Sequence, residues 1–366
     1  MTDLDTDIAI VGGGLSGLAI AEKMVARGQR VVVFEARDRV GGRILSVPGP
    51  SNTMFRYDLG PAWIWPHNHR MLDLAQRLGV TLMPQHASGN LVFQDANGSV
   101  DRGYTFSTMA GVLRAKGGLA CLPEALADLL PDGILHLGHR IDALSRLPGK
   151  VQVSGMGPDG ACRITAKRVV LAMPPRVVAQ RIAFTPGLSG EIRAALDAVP
   201  TWMAGHAKVV AIYPNAFWRQ AGLSGDAISH IGPLMEIHDA SPVVFPEEQA
   251  ALFGFVHPDA IPSQSGDLGF QDRVLAQLVD LFGPEAGHPI GFHLKAWGRD
   301  PETAVASDQP ALGGHSTYYP IAQGQSDWQG RVFFSGTETA ATDGGFLEGA
   351  LEAAENAIQQ FEPSSE

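Results

Sequence analysis

Asp7-Ile8-Ala9-Ile10-Val11-Gly12-Gly13-Gly14-Leu15-Ser16-Gly17 is the stretch that decides how this chain is read. An apolar run enters a glycine cluster, Leu18, Ala21, Met24 and Val25 then recur at helical spacing, and a second apolar run, Val31-Val32-Val33-Phe34, ends at Glu35. That order is strand, glycine turn, helix, strand. Gly12 permits the sharp turn off the strand, Gly14 lets backbone N–H groups approach a pyrophosphate, and Gly17 lets the helix pack closely on the sheet. The helix N-terminus, with its partial positive charge, faces the phosphates. A carboxylate at Glu35 accepts hydrogen bonds from ribose hydroxyls, which favours FAD or NAD over a 2′-phosphorylated cofactor.

The rest of the composition is compatible with an enzyme of this kind. At 366 residues the chain exceeds one ordinary core and suggests two domains. With 45% hydrophobic and 18% charged residues it can bury a large interior. A formal charge of −11 argues against nucleic acid and anionic membrane as partners. Cys121 and Cys162 form no paired motif and are expected as free thiols of a reducing compartment. No signal-peptide pattern precedes the first strand, no run of about eighteen apolar residues occurs, and the tail Pro363-Ser364-Ser365-Glu366 is polar, so a cytoplasmic location is expected. His230, His238, His257, His288 and His293 lack metal-site spacing and are read as structural, with no metal expected.

Beyond Glu35 comes Ala36-Arg37-Asp38-Arg39-Val40-Gly41-Gly42-Arg43, where two glycines permit close backbone approach and Arg43 offers a fork suited to a phosphate oxygen. Together with the first motif, this run resembles the Val-Gly-Gly-Arg signature of FAD-dependent amine oxidases of the monoamine and polyamine oxidase type. The resemblance extends along nearly the whole chain apart from about Ala221–Gly291. Gly60-Pro61-Ala62-Trp63-Ile64-Trp65 is similar to the loop beside the flavin, with Trp65 where polyamine oxidases carry histidine and amino-acid oxidases an arginine. Read on their own, Trp63 and Trp65 could equally be core aromatics. His139-Arg140-Ile141 resembles the segment contacting adenine. Lys208, on the strand Ala207–Tyr213 and followed by Phe217, Trp218 and Arg219, matches the lysine that holds a water at flavin N5, although a strand-edge lysine is ordinarily solvated.

The closing segment, with Trp297, Gly313-Gly314-His315 to Pro320, Phe333 to Glu338 and Gly344-Gly345-Phe346 to Ala350, resembles that of the same oxidases. Glu338 is read as binding ribityl or phosphate-linked hydroxyls. The helix presenting Leu347, Ala350, Leu351, Ala354 and Ile358 to the core would aim its N-terminus at the flavin pyrimidine edge. Gly314 stands where monoamine oxidases attach FAD to a cysteine, which implies non-covalent FAD; His315 and Phe346 stand where two tyrosines flank the amine.

The resemblance implies an α/β fold. A discontinuous Rossmann-type FAD-binding domain, 1–79, 116–184 and 298–366, would carry an inserted sheet-plus-helix substrate domain, 80–115 and 185–297, whose helical insertion is short. It implies an oxidoreductase that converts an amine C–N bond to an imine with hydride passing to flavin N5. Oxygen, or another acceptor, would reoxidise the flavin with release of hydrogen peroxide. The implied catalytic set is Lys208, Trp297, His315, Phe346 and Trp65; the cofactor set is Gly12, Gly14, Ser16, Gly17, Glu35, Arg37, Gly42, Arg43, Ala62, Trp63, Ile141, Glu338 and Phe346. A desaturase or protoporphyrinogen-oxidase-like enzyme and a non-catalytic flavoprotein are the alternatives.

Overall fold

The computed structural model describes residues 4–50, 55–242, 249–263, 266–309, 314–319, 321, 328 and 330–361. The glycine-rich unit folds as its periodicity requires: strand Leu4–Val11, helix Leu15–Ala26 and strand Val31–Phe34. The two strands run parallel, with Ile8 beside Val31 and Val11 beside Phe34. Val31 to Phe34 are all buried, as a parallel strand covered on both faces demands. Gly12 has φ +115°, and a Cβ there would lie 2.3 Å from the Ala172 carbonyl oxygen; a Cβ on Gly17 would lie 2.0 Å from that of Gly12. Only glycine fits either place.

This unit sits inside an eight-stranded sheet ordered Ala183–Thr185, Arg140–Leu147, Lys150–Gly157, Gly160–Leu171, Leu4–Val11, Val31–Phe34 and Leu135–His136. The eighth strand, Val332–Phe334, pairs in parallel with Val169–Leu171. That pairing brings the C-terminal segment beside the glycine turn. The last helix, Leu347–Gln359, packs its Leu351, Ala354, Ala357 and Ile358 into the core that also holds Leu18, Ile20 and Met24.

A second, seven-stranded sheet is ordered Gly291–Ala296, Ala207–Tyr213, Ala250–Val256, Leu234–Asp239, Leu223–Ser229, Asn90–Gln94 and Val100–Tyr104. Alternate residues of the Ala207–Tyr213 strand go to opposite faces. Val209 and Ala211 pack with Phe270, Val274 and Leu278 of the helix Leu268–Phe282. Val210 and Ile212 pack on the other side with Tyr57, Leu59 and Ala62, from the segment that follows the glycine motifs. Lys208 shares this second face.

Most expected elements are found near their expected limits, and two differ for local reasons. The sequence pattern predicts a helix over Asp272–Phe282, and the structure starts it at Leu268, because the Asp267 side chain accepts from the Phe270 N–H and caps it. Leu119, Leu122, Ala125, Leu126 and Leu129 recur at helical spacing and predict a helix over Gly118–Leu130; it contracts to Cys121–Asp128, since Gly118 has φ +83° and Leu129 is exposed. The strand-like run Val243–Phe245 lies outside the described residues, as do Gly313, Pro320 and the tail.

Candidate active site

A cavity of about 560 Å³ opens between the two sheets. At one end lie Gly12, Gly14 and Glu35. Glu35 is buried, and its two carboxylate oxygens each accept one backbone N–H, from Gly13 at 2.8 Å and Arg37 at 2.9 Å. A carboxylate has about four acceptor positions, so this fixes its orientation and leaves others to serve a ligand hydroxyl. Gly41 N–H donates to the Gly13 carbonyl at 2.8 Å, and the Gly42 side-chain position is 3.6 Å from the Gly14 Cα. The two glycine motifs are thus one wall. Ile141, Ala62 and Trp63 line the same cavity.

Three pairings tie members of that wall to sequence-distant residues. Arg43 meets Glu338 in a fork, 2.5 and 2.9 Å, and the Trp202 N–H also points to Glu338 at 3.3 Å. Glu338 is fully enclosed and does not line the cavity, whereas Arg43 does. The reading of Arg43 and Glu338 as independent ligands therefore gives way to one in which Glu338 aims the guanidinium, because a bidentate carboxylate partner satisfies a half-buried arginine better than a shared hydroxyl would. Ser16 donates to the Ser335 carbonyl oxygen at 2.6 Å. Arg37 donates to Asp300 at 2.5 Å and to Thr303 at 2.9 Å, with Glu35 3.6 Å away.

The same cavity is lined by Lys208, 3% exposed. Its ammonium donates to the Gly60 carbonyl at 3.0 Å and lies 3.8 Å from the centre of the Phe253 ring. The solvated reading of this lysine is overturned by its position on the face that the Leu59–Trp63 loop covers. Burial, only partly offset by attraction to Asp58, pushes its pKa down to about 7. Trp297 donates its indole N–H to the Leu59 carbonyl at 3.0 Å, so one loop is gripped by both residues. Trp63 bonds Gln85 at 3.0 Å and packs its edge on His238, making it a wall of the cavity and a core aromatic at once. Trp65 also lines the cavity.

His315 and Phe346 stack on each other, 4.6 Å apart and 4° from parallel. They stand as a single double layer instead of two separated walls. Trp202, which the sequence did not single out, abuts His315 at 4.6 Å and completes the cluster. Of the expected residues, Gly17, Glu338 and His315 support the lining without belonging to it. Met203, His206 and Glu236 belong to it unanticipated. Met203 has φ +60°, a backbone conformation that costs of order 1–3 kcal/mol outside glycine. Burial lowers the pKa of His206, which favours its neutral imidazole.

These residues fit a dinucleotide cofactor. A Cβ on Gly14 would meet open space, the Leu15–Ala26 helix has no side-chain cap at Gly14, and the Leu347–Gln359 helix has none at Phe346. Both helix N-termini therefore present uncommitted N–H groups and positive ends beside the cavity that Gly14 and Phe346 line. A family model described as flavin containing amine oxidoreductase matches residues 15–104 and 100–360. The chain belongs to that family. By family it is a flavin-containing amine oxidase, and flavin is its cofactor class.

The relatives agree along the whole length. The flavin-containing amine oxidase B of Sus scrofa is 25% identical, the match covering 97% of this chain and 86% of that one. Among solved structures, wild-type putrescine oxidase bound to putrescine superposes with a TM-score of 0.81 at 20% identity over 98% of this chain and 99% of that one. Cyclohexylamine oxidase from Brevibacterium oxydans superposes with 0.76 at 20% identity, covering 97% and 98%. The fold is that of these oxidases, a Rossmann-type flavin domain with a substrate domain. Among the described residues, no helix is long and apolar enough to cross a membrane, and no group of three or more His, Cys, Asp or Glu could hold a metal ion.

Proposed function

We propose that this protein oxidises a primary or secondary amine to an imine with non-covalently bound FAD, and that oxygen then accepts the electrons to give hydrogen peroxide. Buried Lys208, sharing one cavity with the Glu35 end of the glycine wall, is the observation that carries this reading. FAD supplies the two-electron acceptor. Glu35 would hold the ribose, the Gly14 helix terminus the diphosphate, and Ile141 the adenine end. The division into 1–79, 116–184 and 298–366 against 80–115 and 185–297 is proposed with it.

The side chains have separate tasks. Lys208 Nζ, with a pKa of about 7, can carry a proton or an ordered water at neutral pH without a large penalty in either state. Trp297 holds the Leu59 carbonyl and so keeps the loop of Gly60 in place beneath Lys208. Phe346, backed by His315 and Trp202, would give the amine an aromatic wall, and the amine binds neutral and needs no strong base. Gly314 offers no thiol, and neither Cys121 nor Cys162 lines the cavity, in support of a releasable cofactor.

The test is a peroxide assay across a panel of amines and L-amino acids, together with acid precipitation of the yellow protein. Amines should bleach the flavin anaerobically faster than amino acids, because no arginine replaces Trp65 to pair with a carboxylate, and all flavin should enter the supernatant. Faster bleaching by amino acids, or flavin left in the pellet, would overturn the respective half of the reading.

A further inference from the structure

Asn68 stands at the start of the helix His69–Arg77, yet its side chain does not cap that helix. An asparagine in this place ordinarily accepts from the second or third N–H of its helix. Here those two donors, on Arg70 and Met71, go instead to Glu348 of the last helix, at 2.9 and 3.0 Å. The Asn68 carboxamide is turned the other way. Its Oδ1 accepts the Trp65 N–H at 2.8 Å, while its backbone N–H donates to the Trp65 carbonyl at 2.9 Å. This reciprocal turn fixes which side of the amide is oxygen and which is nitrogen.

What the side chain has left to offer is Nδ2. Asn68 is 5% exposed and lines the cavity, and among the described residues no acceptor meets Nδ2, so what fills the cavity must satisfy it. An amide N–H pair only donates, so it suits a carbonyl oxygen or a ring nitrogen and repels an ammonium. Leu347 and Ala350, in the first turn of the last helix, line the same cavity, and that helix has no side-chain cap. Its own first-turn acid, Glu348, has both oxygens engaged by Arg70 and Met71. Those two bonds clamp one helix start to the other, so Asn68 and the positive end of the last helix belong to one wall whose free groups are all donors.

We infer that Asn68 is a cofactor-positioning residue, its Nδ2 donating with the last helix's N-terminus to the electron-rich pyrimidine edge of the flavin and so favouring the reduced form. Hydride transfer brings two electrons and one proton to the ring, which leaves it one negative charge, and donors aimed at that charge bind the reduced form more tightly than the oxidised one. The inference rests on flavin occupying this cavity and makes no use of amine oxidation.

Two variants separate donation from shape. Asn68→Asp keeps an oxygen for the Trp65 N–H and puts an acceptor where the donors were; Asn68→Ala removes both. The midpoint potential of the bound flavin, read under argon against a reference dye at mildly alkaline pH, needs no amine. Asn68→Asp should lower it by at least about 30 mV, the two-electron equivalent of a tenfold loss of preference for reduced flavin, and Asn68→Ala should lower it less. A wild-type potential in either variant overturns the inference. Should a variant purify without flavin, FAD titration and melting of the cofactor-free proteins decide. Weakened FAD binding by an apoprotein that melts like wild type supports donation to the cofactor; an apoprotein destabilised as much as the loaded one makes Asn68 a turn residue only and overturns it. Anaerobic bleaching by amines is read separately. A lowered potential without bleaching in the wild type sinks amine oxidation and leaves Asn68 in its role; bleaching with unshifted potentials does the reverse.

Discussion

The two sheets do their chemistry in different materials. Around the eight-stranded sheet the working groups are backbone: Gly12, Gly14 and Gly17 act by what they lack, and Glu35 is aimed by two peptide N–H groups. On the seven-stranded sheet they are side chains set in a row by strand register, Lys208, Phe255 and Glu236. Substitution on the first side should therefore act through space and cofactor retention. On the second it should act through charge.

Gly17→Ala is the harshest way to break that contrast. Its Cβ would lie 2.0 Å from a backbone oxygen that cannot move aside, so a loss of about 3 kcal/mol or more is expected, seen as a lowered melting temperature and colourless protein. A yellow variant with wild-type melting would show that the turn is not held by packing. Glu35→Ala removes charge-assisted bonds of about 1.5–3 kcal/mol and should weaken FAD retention by roughly ten- to a hundredfold in equilibrium dialysis. Unchanged retention would remove Glu35 from the ribose.

The remaining predictions concern Lys208. Its folded pKa of about 7 lies below the ordinary 10.5, so between those values the unfolded chain binds the extra proton and folding improves as pH rises. Urea titrations at pH 7 and pH 9 should show wild type gaining on the order of 2 kcal/mol relative to Lys208→Met. Parallel behaviour of the two proteins would mean that Lys208 is not buried as a titrating group. The smallest expected effect is kinetic: Lys208→Met, which keeps most of the aliphatic packing, should slow the oxidative half-reaction about tenfold, roughly 1.4 kcal/mol, and anaerobic reduction by amine less. Stopped-flow traces matching wild type in both halves would confine Lys208 to a structural role.

What could be read from residues alone follows the same divide. The glycine turn, its helix and Glu35 are local, and local spacing carries both their structure and their chemistry. Lys208 was found through a matching segment, while periodicity alone left it on a strand edge. The Arg43–Glu338 fork joins positions 295 apart, and Trp202 reaches His315 only when the fold is closed. Glu236 and His238 belong to a region without motifs, and their bearing on the cavity comes from register between strands that no single stretch encodes. The φ of Met203 has no sequence signature at all.

One feature of the wall reaches further. Lys295 pairs with Asp300 at 2.7 Å, Asp300 with Arg37, and Arg37 sits beside Glu35, so alternating charges run from the substrate sheet to the nucleotide end. Groups shared in this way make two equilibria reciprocal: whatever loading the nucleotide end does to the seating of the seven-stranded sheet, seating that sheet does to the affinity for the nucleotide. If the coupling runs through these charges, hydrogen exchange in the Gly291–Ala296 strand should slow when the protein is loaded with FAD, although no residue of that strand lines the cavity; unchanged exchange would break the link.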